Sequence, residues 1–289
     1  MILVTGGTGY VGQFLLDALA KGNAQVRCVV RPGKPKSALE RLRRYGMEIC
    51  EGDLLDSTVL NAALRDVRCV LHLAHIRFAP NVLRAAPDSV ERLVLMSSLW
   101  RFSRVPSPVV DEVIKAEREV EKSNKPWVLL RPSMIYGPGD DRNINRLRAH
   151  LNRWSVMPIF GSGRALQQPV FVGDVVAATI ASMHAAGIER RAYAIAGAQA
   201  VTYRVLLKML GASIGVTPRI VSLPARPLAA LLGAVRRCGI HLPVDPEQIL
   251  RLQEDKQYDI SAARADLAFD PLTFEAGLEK IEQWGRDGA

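Results

Sequence analysis

The chain has 289 residues, 48% of them hydrophobic, which is long for one small domain and predicts a main domain with a second lobe. No apolar run reaches the roughly eighteen residues of a membrane span, so we expect no transmembrane helix, and a strand that begins at residue 2 leaves no room for a signal peptide. The net charge of +9 favours anionic ligands, but no basic run interleaved with aromatic residues indicates nucleic-acid binding.

The cysteines and histidines indicate a reducing compartment and no metal. Cys28, Cys50 and Cys69 fall in apolar, strand-like runs, so we expect buried free thiols and a cytoplasmic protein. No C-x-x-C pattern occurs and the 5 His are scattered, so we predict no metal site. The longest apolar segment, from Pro227 to Val235, is short and predicts an amphipathic helix of the second lobe.

The chain opens with a strand, a glycine-rich turn and a helix. Residues 2–4 are all apolar, as in a strand buried on both faces, and residues 14–20 have helical periodicity. Between them, Gly6, Gly9 and Gly12 follow the spacing G-x-x-G-x-x-G. We assign Gly6 to the sharp reversal, Gly9 to the close approach of a phosphate to backbone N–H groups, and Gly12 to tight helix packing. The positive end of the helix dipole would then face the phosphate.

This opening resembles the extended form of the short-chain dehydrogenase/reductase superfamily. The segment Thr5-Gly6-x-x-Gly9-x-x-Gly12 has its spacing, and Gly9-Tyr10-Val11-Gly12 resembles the nucleotide-sugar epimerases and dehydratases. The resemblance implies an α/β fold, a Rossmann-type doubly wound parallel sheet with a smaller, mostly helical C-terminal lobe. It places the NADP-binding domain at residues 1–138, with the chain returning at about 168–197, and the substrate-binding lobe at 139–167 and 198–289. The implied cofactor contacts in the turn are Gly6, Gly7, Thr8, Gly9, Tyr10 and Val11.

The second predicted strand, residues 25–30, ends at Arg31. A chain that binds NAD usually has an Asp or Glu at this point, which accepts a hydrogen bond from the ribose 2′-hydroxyl. Arg31, followed by Lys34 and Lys36, fits a 2′-phosphate instead. We therefore expect NADP(H) as the cofactor, with NAD(H) less favoured. The alternative is a solvated basic loop without a ligand.

The third and fourth predicted strands end in further implied cofactor contacts. Asp53 and Leu54 follow the strand at 47–51, and the resemblance implies that Asp53 binds the adenine amino group. Leu73-Ala74-His75 stands where the family has small residues beside the cofactor ribose, although His75 is equally well explained as a loop histidine. The connection at 76–90 is shorter than in most extended members. That region commonly supplies a dimer face in the family, so the oligomeric state stays open.

The fifth predicted strand ends in Ser97 and Ser98. A doubly wound sheet binds its ligand at the carboxyl ends of its strands, which is where both serines stand. The resemblance implies that a Ser here donates a hydrogen bond to the substrate oxygen. Ser98 is the first candidate for that role, and Ser97 is the second candidate as well as a cofactor contact.

The family next has a Y-x-x-x-K pair on one helical face, in which Tyr relays a proton and Lys holds the nicotinamide ribose. Val113-Ile114-Lys115-Ala116-Glu117 resembles this tract and assigns the Lys to Lys115, but Asp111 stands at the Tyr position. We expect Asp111 to stay ionised beside Lys115, so it would accept a proton but donate one poorly. Three interpretations stay open: chemistry without the Tyr, chemistry with a substitute, and cofactor binding without turnover.

The sixth predicted strand leads into Arg131-Pro132-Ser133-Met134-Ile135-Tyr136-Gly137-Pro138, which resembles the R-P-x-x-x-Y-G-P element of the extended family. The resemblance implies nicotinamide contacts from Pro132, Ser133, Met134 and Ile135. Tyr136 is the only other tyrosine in a segment that the family folds near the substrate, so it is the second candidate for the proton relay. Arg131 is equally well explained as a structural ion-pair partner.

The second half resembles the family as far as residue 278. Asp174 precedes a predicted helix, and we interpret it as an N-cap. Gly137-Pro138-Gly139-Asp140-Asp141, Gln168-Pro169-Val170 and the short central connection resemble the atypical branch without the Tyr, which includes proteins similar to the NADPH-binding accessory subunit of respiratory complex I.

Two hypotheses follow for the function. The first is an NADP-dependent epimerase, dehydratase or reductase acting on a nucleotide-sugar-like or other carbonyl or hydroxyl substrate. The second is a non-catalytic NADP(H)-binding protein with a structural or redox-sensing role.

Overall fold

The computed structural model of the chain describes residues 1–141, 143–225, 227–229, 232 and 246–287. The strands are β1 (Ile2–Thr5), β2 (Val26–Val30), β3 (Glu48–Glu51), β4 (Cys69–His72), β5 (Arg92–Met96), β6 (Trp127–Pro132), β7 (Ile135–Tyr136), β8 (Val156–Phe160), β9 (Leu166–Gln167), β10 (Val170–Phe171), β11 (Arg191–Ile195), β12 (Val201–Thr202) and β13 (Arg219–Leu223). The α-helices are α1 (Tyr10–Lys21), α2 (Lys36–Arg44), α3 (Ser57–Ala63), α4 (Ala79–Ala85), α5 (Pro108–Glu121), α6 (Ile144–Arg153), α7 (Val172–His184), α8 (Tyr203–Ser213), α9 (Pro246–Arg251), α10 (Ser261–Leu267) and α11 (Phe274–Asp287). Two 3₁₀ turns cover Ile76–Phe78 and Leu99–Phe102.

Seven of these strands form one parallel sheet in the order β11-β6-β5-β4-β1-β2-β3. The order reverses at β1, which pairs with β2 on one side and β4 on the other, as in a doubly wound sheet. The predicted Rossmann-type fold is therefore confirmed. Its ligand-binding edge is the one formed by the carboxyl ends of the strands.

The sheet is covered on both faces because its strands are apolar on both faces. Along β1, Leu3 packs on the face covered by α3, α4 and α5, and Val4 packs on the face covered by α1 and α7. Along β5, Leu95 and Met96 divide between the same two faces. This double burial explains the continuous apolar runs of the strands.

The C-terminal elements have a hydrophobic cluster of their own. It joins α6, β8, α8 and α11 through residues such as Leu151, Ile159, Leu207 and Leu278. Three two-stranded sheets (β7 with β10, β8 with β13, and β9 with β12) connect these elements. The domain boundaries stated above remain a prediction.

Two expectations for the second half need comment. Asp174 is not the N-cap of α7, because the helix begins at Val172, two residues earlier; its carboxylate instead accepts a hydrogen bond from Leu272 N at 2.9 Å. The predicted helix from Pro227 to Val235 lies largely outside the described residues. Among the residues that the structure describes, no helix is long and apolar enough to cross a membrane.

Candidate cofactor and active site

The glycine-rich turn between β1 and α1 is a cradle of bare backbone. Gly6 has φ +76°, and a Cβ there would lie 2.5 Å from Ala74 N in the loop after β4. A Cβ on Gly12 would lie 2.4 Å from Gly6 O, so the first turn of α1 touches the loop itself. Gly9 is the N-cap and places no side chain at the helix end, and its N–H donates to Gly6 O at 2.9 Å. These contacts support the roles assigned to the glycines and suit a phosphate at the helix N-terminus.

The first turn of α1 carries no acidic side chain that would compete with an anion. Tyr10 turns its side chain away from the glycine turn, because its hydroxyl donates to Pro138 O at 3.1 Å. Burial raises the pKa of this hydroxyl. The side chain of Tyr10 thus anchors the loop after β7. Of the other predicted cofactor contacts, Gly7 and Thr8 lie in the turn and Val11 lies in the first turn of α1.

Arg31 and Asp53 lie at the ends of neighbouring strands. Val30 of β2 pairs with Glu51 of β3, and Gly52 N donates to Val30 O at 3.0 Å. Arg31 is exposed and has no hydrogen bond or ion pair within the described residues. Asp53 is also exposed and accepts from Leu55 N at 2.9 Å, whereas the side chain of Leu54 is buried in the core. The edge therefore offers one free cation and one carboxylate at adjacent strand ends.

The end of β4 is held by His72. Its ring is fully buried between Thr5 and His75: Nδ1 lies 2.7 Å from Thr5 Oγ1 and Nε2 lies 3.4 Å from His75 O. Burial lowers the pKa of His72 to about 4, so the ring is neutral near pH 7. Nε2 then donates to the carbonyl and Nδ1 accepts from the hydroxyl. These two hydrogen bonds fix the start of the loop Leu73-Ala74-His75 against β1.

His75 itself is exposed at the same edge. Its Nδ1 accepts from Arg77 N at 3.3 Å, and its Nε2 lies 3.9 Å from a carboxylate oxygen of Glu112 on α5. Desolvation lowers the pKa of His75 despite this carboxylate. His75 and Glu112 thus bring the end of β4 close to α5.

Ser97 and Ser98, adjacent in the chain, have different surroundings. Ser97 is buried and its hydroxyl donates to Glu117 of α5, so it is already occupied. Ser98 precedes the 3₁₀ turn and its Oγ accepts from Trp100 N at 3.2 Å, which leaves its own O–H able to donate. The geometry therefore favours Ser98 over Ser97 as the donor to a substrate oxygen.

Asp111 and Lys115 are both exposed on α5, one turn apart. Within the described residues, neither side chain has a hydrogen bond or ion pair. Ser107, the N-cap of this helix, accepts from Val110 N and thereby sets where the helix begins. The i,i+4 spacing and the shared exposure make the pair available to a ligand.

The opposite side of α5 carries Glu117, which is fully buried. Arg131 of β6 donates to its two carboxylate oxygens at 2.7–3.1 Å, and Arg101 lies 2.8 Å from it. With Ser97, these residues form what we call the buried ion cluster. Arg131 is therefore a structural ion-pair partner, and Glu117 is a residue that the sequence analysis gave no role, although it ends the tract Lys115-Ala116-Glu117.

Tyr136 lies in the core of the C-terminal lobe. It is 0% exposed, packs against Phe171 and Phe274, and directs its hydroxyl at Phe274 O, 3.4 Å away. Burial raises its pKa. A Cβ on Gly277 would collide with that hydroxyl, so the glycine of α11 makes room for it. Tyr136 is thus enclosed in this core, whereas Asp111 and Lys115 are exposed on α5.

The loop after β6 joins the two halves of the molecule. Pro132 is buried, while Ser133, Met134 and Ile135 are half-buried. Ser133 Oγ donates to Gln168 O at 2.5 Å, and Val170 N donates to Met134 O at 3.0 Å. The predicted nicotinamide contacts thus lie where the chain returns from the C-terminal lobe. In the part of the chain that the structure describes, no three His, Cys, Asp or Glu side chains cluster as metal ligands.

Two protein-family models match this chain. The NmrA-like family matches residues 1–86, and the 3-beta hydroxysteroid dehydrogenase/isomerase family matches residues 112–220. A (4-alkanoyl-5-oxo-2,5-dihydrofuran-3-yl)methyl phosphate reductase from Streptomyces griseus is 31% identical over 232 residues, which cover 74% of each chain. Subunit 9 of the NADH dehydrogenase [ubiquinone] 1 alpha subcomplex from Arabidopsis thaliana is 24% identical, over 87% of this chain and 67% of that one.

Solved structures show the same fold. The UDP-glucuronic acid 4-epimerase from Bacillus cereus, in complex with UDP-glucuronic acid and NAD, matches 98% of this chain and 99% of its own with a TM-score of 0.73. The sequence identity is 20%, so this likeness concerns the fold alone.

Proposed function

This chain belongs to the extended short-chain dehydrogenase/reductase family of NAD(P)-dependent epimerases and reductases, and from that premise we propose that it is an NADP(H)-dependent oxidoreductase. Its substrate would be a small molecule with a carbonyl or hydroxyl group, with nucleotide sugars as one candidate class. The observation that carries the proposal is the bare glycine cradle at the N-terminus of α1, with the free cation Arg31 at the next strand end.

The glycine-rich turn and the neighbouring strand ends suit a dinucleotide that carries a 2′-phosphate. The turn has no room for a Cβ at Gly6 or Gly12, and Gly9 carries no side chain, so backbone N–H groups are left for a pyrophosphate. Among the described residues Arg31 makes no hydrogen bond or ion pair, and it would pair with a 2′-phosphate, which supports NADP(H) over NAD(H). Asp53 would accept from the adenine amino group. When bound, the nicotinamide supplies hydride chemistry.

The chain's own groups would divide the remaining work. Lys115 would hold the nicotinamide ribose, and the O–H of Ser98 would donate to the substrate oxygen. The exposed carboxylate of Asp111 would accept the proton of a substrate hydroxyl as a general base. We do not propose Tyr136 as the relay, because its hydroxyl is buried against Phe274 O.

The cofactor assignment is tested by the thermal shift of the purified chain with NADPH, NADP, NADH and NAD. A ligand that binds the native state raises its apparent stability. We expect a shift with NADP(H) that is lost in Gly12→Ala, because the new Cβ would meet Gly6 O and the Gly7 backbone. Gly22→Ala is the matched control, since its Cβ would meet only ordinary contacts at 3.5 Å or more. No shift with any of the four nucleotides would remove the proposal.

The preference for NADP(H) is tested with Arg31→Asp. Loss of a charge-assisted bond to the 2′-phosphate should weaken NADPH binding by about tenfold to a hundredfold and leave NADH binding equal or better. Calorimetric titration with both nucleotides measures this ratio. Equal affinities of the unmodified chain for NADPH and NADH would overturn the role of Arg31.

A second candidate function is NADP(H) binding without turnover, in a structural or redox-sensing role. The observation that favours it is Asp111 at the position of the family's Tyr, with Tyr136 buried elsewhere. A panel of carbonyl compounds incubated with NADPH distinguishes the two functions. Any substrate-dependent loss of NADPH absorbance that Lys115→Ala abolishes would rule out the second candidate.

A further inference from the structure

The two-stranded sheet of β8 and β13 has one buried face and one exposed face. Met157 and Ile159 of β8 are buried, and Ile220 of β13 packs against the same hydrophobic cluster of the C-terminal lobe. Side chains alternate along a strand, so the residues next to these three point to the other face. Val156 and Val221 lie on that other face, and both are exposed.

The exposed face of this sheet is apolar. Trp154 lies two residues before β8 with an extended backbone, so the alternation places its side chain on the same face as Val156. Its side chain is 57% exposed. We define the outer face as the exposed residues Trp154, Val156, Pro158, Val221 and Leu223. Apolar side chains gathered on one exposed face are typical of a contact surface.

The chain segments that form and surround the outer face carry positive charge alone. Residues 143–167 and 198–225, which contain α6, β8, β9, β12, α8 and β13, have seven Arg and Lys and no Asp or Glu. Most of the net charge of +9 therefore lies in these two segments. One of the seven, Arg148, is paired with Glu282 of α11. This excess of cations favours an anionic partner for this part of the molecule.

Two of these cations lie beside the outer face. Arg219 is exposed at the start of β13, where it pairs in register with Val156. The guanidinium carbon of Arg153 lies 5.6 Å from the ring centroid of Trp154. Within the described residues, neither arginine has an ion pair. An exposed tryptophan with aliphatic neighbours and unpaired arginines is the composition of a protein surface that lies at the headgroup level of a membrane.

We propose that the outer face binds the surface of a membrane that contains anionic lipids. The side chain of Trp154 and its aliphatic neighbours would enter the headgroup region, and Arg153 and Arg219 would pair with lipid phosphates. A second copy of the chain is a poorer occupant, because two copies joined through this face would bring basic segments without a carboxylate against each other. The contact goes beyond the proposed function, since it involves neither the glycine-rich turn nor α5.

Vesicle flotation with the full chain tests the proposal. Vesicles of phosphatidylcholine alone are compared with vesicles of an equal mixture of phosphatidylcholine and phosphatidylglycerol. We expect binding to the mixed vesicles to be about tenfold tighter or more, since each arginine near an anionic surface adds to the attraction. Added salt should weaken this binding, because it screens charges at the surface. Equal binding to both kinds of vesicle, or binding to neither, would overturn the proposal.

Two variants with matched controls assign the binding to the outer face. Val221→Asp should weaken binding to the mixed vesicles by about tenfold or more, because it places a carboxylate among the apolar side chains. Val109→Asp is its control, since Val109 of α5 is 39% exposed and Val221 is 40% exposed. Arg219→Gln should weaken binding by about fivefold, whereas Arg44→Gln on α2 should not weaken it. Undiminished binding in both outer-face variants would contradict the assignment.

Sedimentation velocity without vesicles tests a second copy of the chain as the occupant. A dimer that Val221→Asp dissociates would show that the outer face joins two copies, and it would overturn the proposal. The urea unfolding midpoint, measured in every variant, shows whether a change in binding reflects a change in folding. A missing NADP thermal shift in the unmodified chain would contradict the proposed function, while the vesicle result decides the membrane contact by itself.

Discussion

The charged side chains on the two sides of α5 differ in burial and in pairing. On the buried side, Glu117 has three partners, Ser97, Arg131 and Arg101. On the exposed side, Asp111 and Lys115 have no hydrogen bond or ion pair within the described residues. Buried charges need partners to offset their desolvation, so the first set holds the helix on the sheet. The exposed pair occupies the helix positions at which the sequence resemblance predicts the cofactor contact and the proton relay. One helix thus carries a structural set of charges and a proposed binding pair on different sides.

The same division applies to Ser97 and Ser98. Directly after β5, Ser97 turns towards α5 and donates to Glu117, while Ser98 is the N-cap of the 3₁₀ turn. If the division is correct, substitutions on the buried side lower stability and substitutions on the exposed side lower activity. Substitutions on each side therefore test this separation, and the largest effect is expected at Glu117.

Glu117→Gln should lower the free energy of unfolding by about 3 kcal/mol, because it removes the fully buried charge that pairs with the half-buried Arg131 and Arg101. Urea unfolding followed by circular dichroism measures the loss. Glu119→Gln, on the solvent-exposed side of the same helix, is the control and should leave the transition unchanged. An unaltered midpoint for Glu117→Gln would show that the cluster does not hold α5.

Lys115→Ala should lower activity and leave stability nearly unchanged, in contrast to Glu117→Gln. We expect substrate-dependent NADPH oxidation to fall by about a hundredfold or more, since the variant loses the group that orients the nicotinamide ribose. The urea midpoint should change little, because Lys115 is exposed and makes no hydrogen bond or ion pair within the described residues. Lys122→Ala, at the end of α5, is the matched control and should retain activity. Full turnover in Lys115→Ala would remove this residue from the site.

His72, the last residue of β4, is another buried group whose ionisation should affect stability. Its pKa is about 4 in the folded chain, below the usual 6.5. Below pH 6.5 the unfolded chain takes up a proton that the folded chain does not, so stability is complete above that pH and falls as the pH approaches 4. This residue should therefore reduce the free energy of unfolding by about 2 kcal/mol between pH 7 and pH 5.

Urea unfolding at pH 7, 6 and 5 measures that loss, and His72→Gln should remove it. His184→Gln, in the last turn of α7, is the comparison and should keep the pH dependence of the unmodified chain. A slope that is identical in all three proteins would mean that His72 is not the group that responds to pH.

Much of the fold was predictable because its signals are local. The apolar run of β1, the glycine spacing and the periodicity of α1 each depend on residues that are close together in the sequence. The end of β2 just before Arg31 and the helix that carries Lys115 also follow from local patterns of apolar residues. Asp174 shows the limit, since a capping side chain and an anchor for the distant Leu272 N look alike in sequence.

The site was predictable only in part. Pattern and resemblance selected both Ser97 and Ser98, and both Asp111 and Tyr136. Only the packing of α5 and α11 separates the members of these pairs, by occupying Ser97 and burying Tyr136.

The sequence by itself determined the parallel sheet, the glycine-rich turn and the cation at the end of β2, because strand burial, backbone reversal and helix periodicity are properties of neighbouring residues. The tertiary structure decided which charged groups are paired and which are free. That decision depends on the partners that distant segments bring to a side chain, and on the desolvation that makes an unpaired buried group costly.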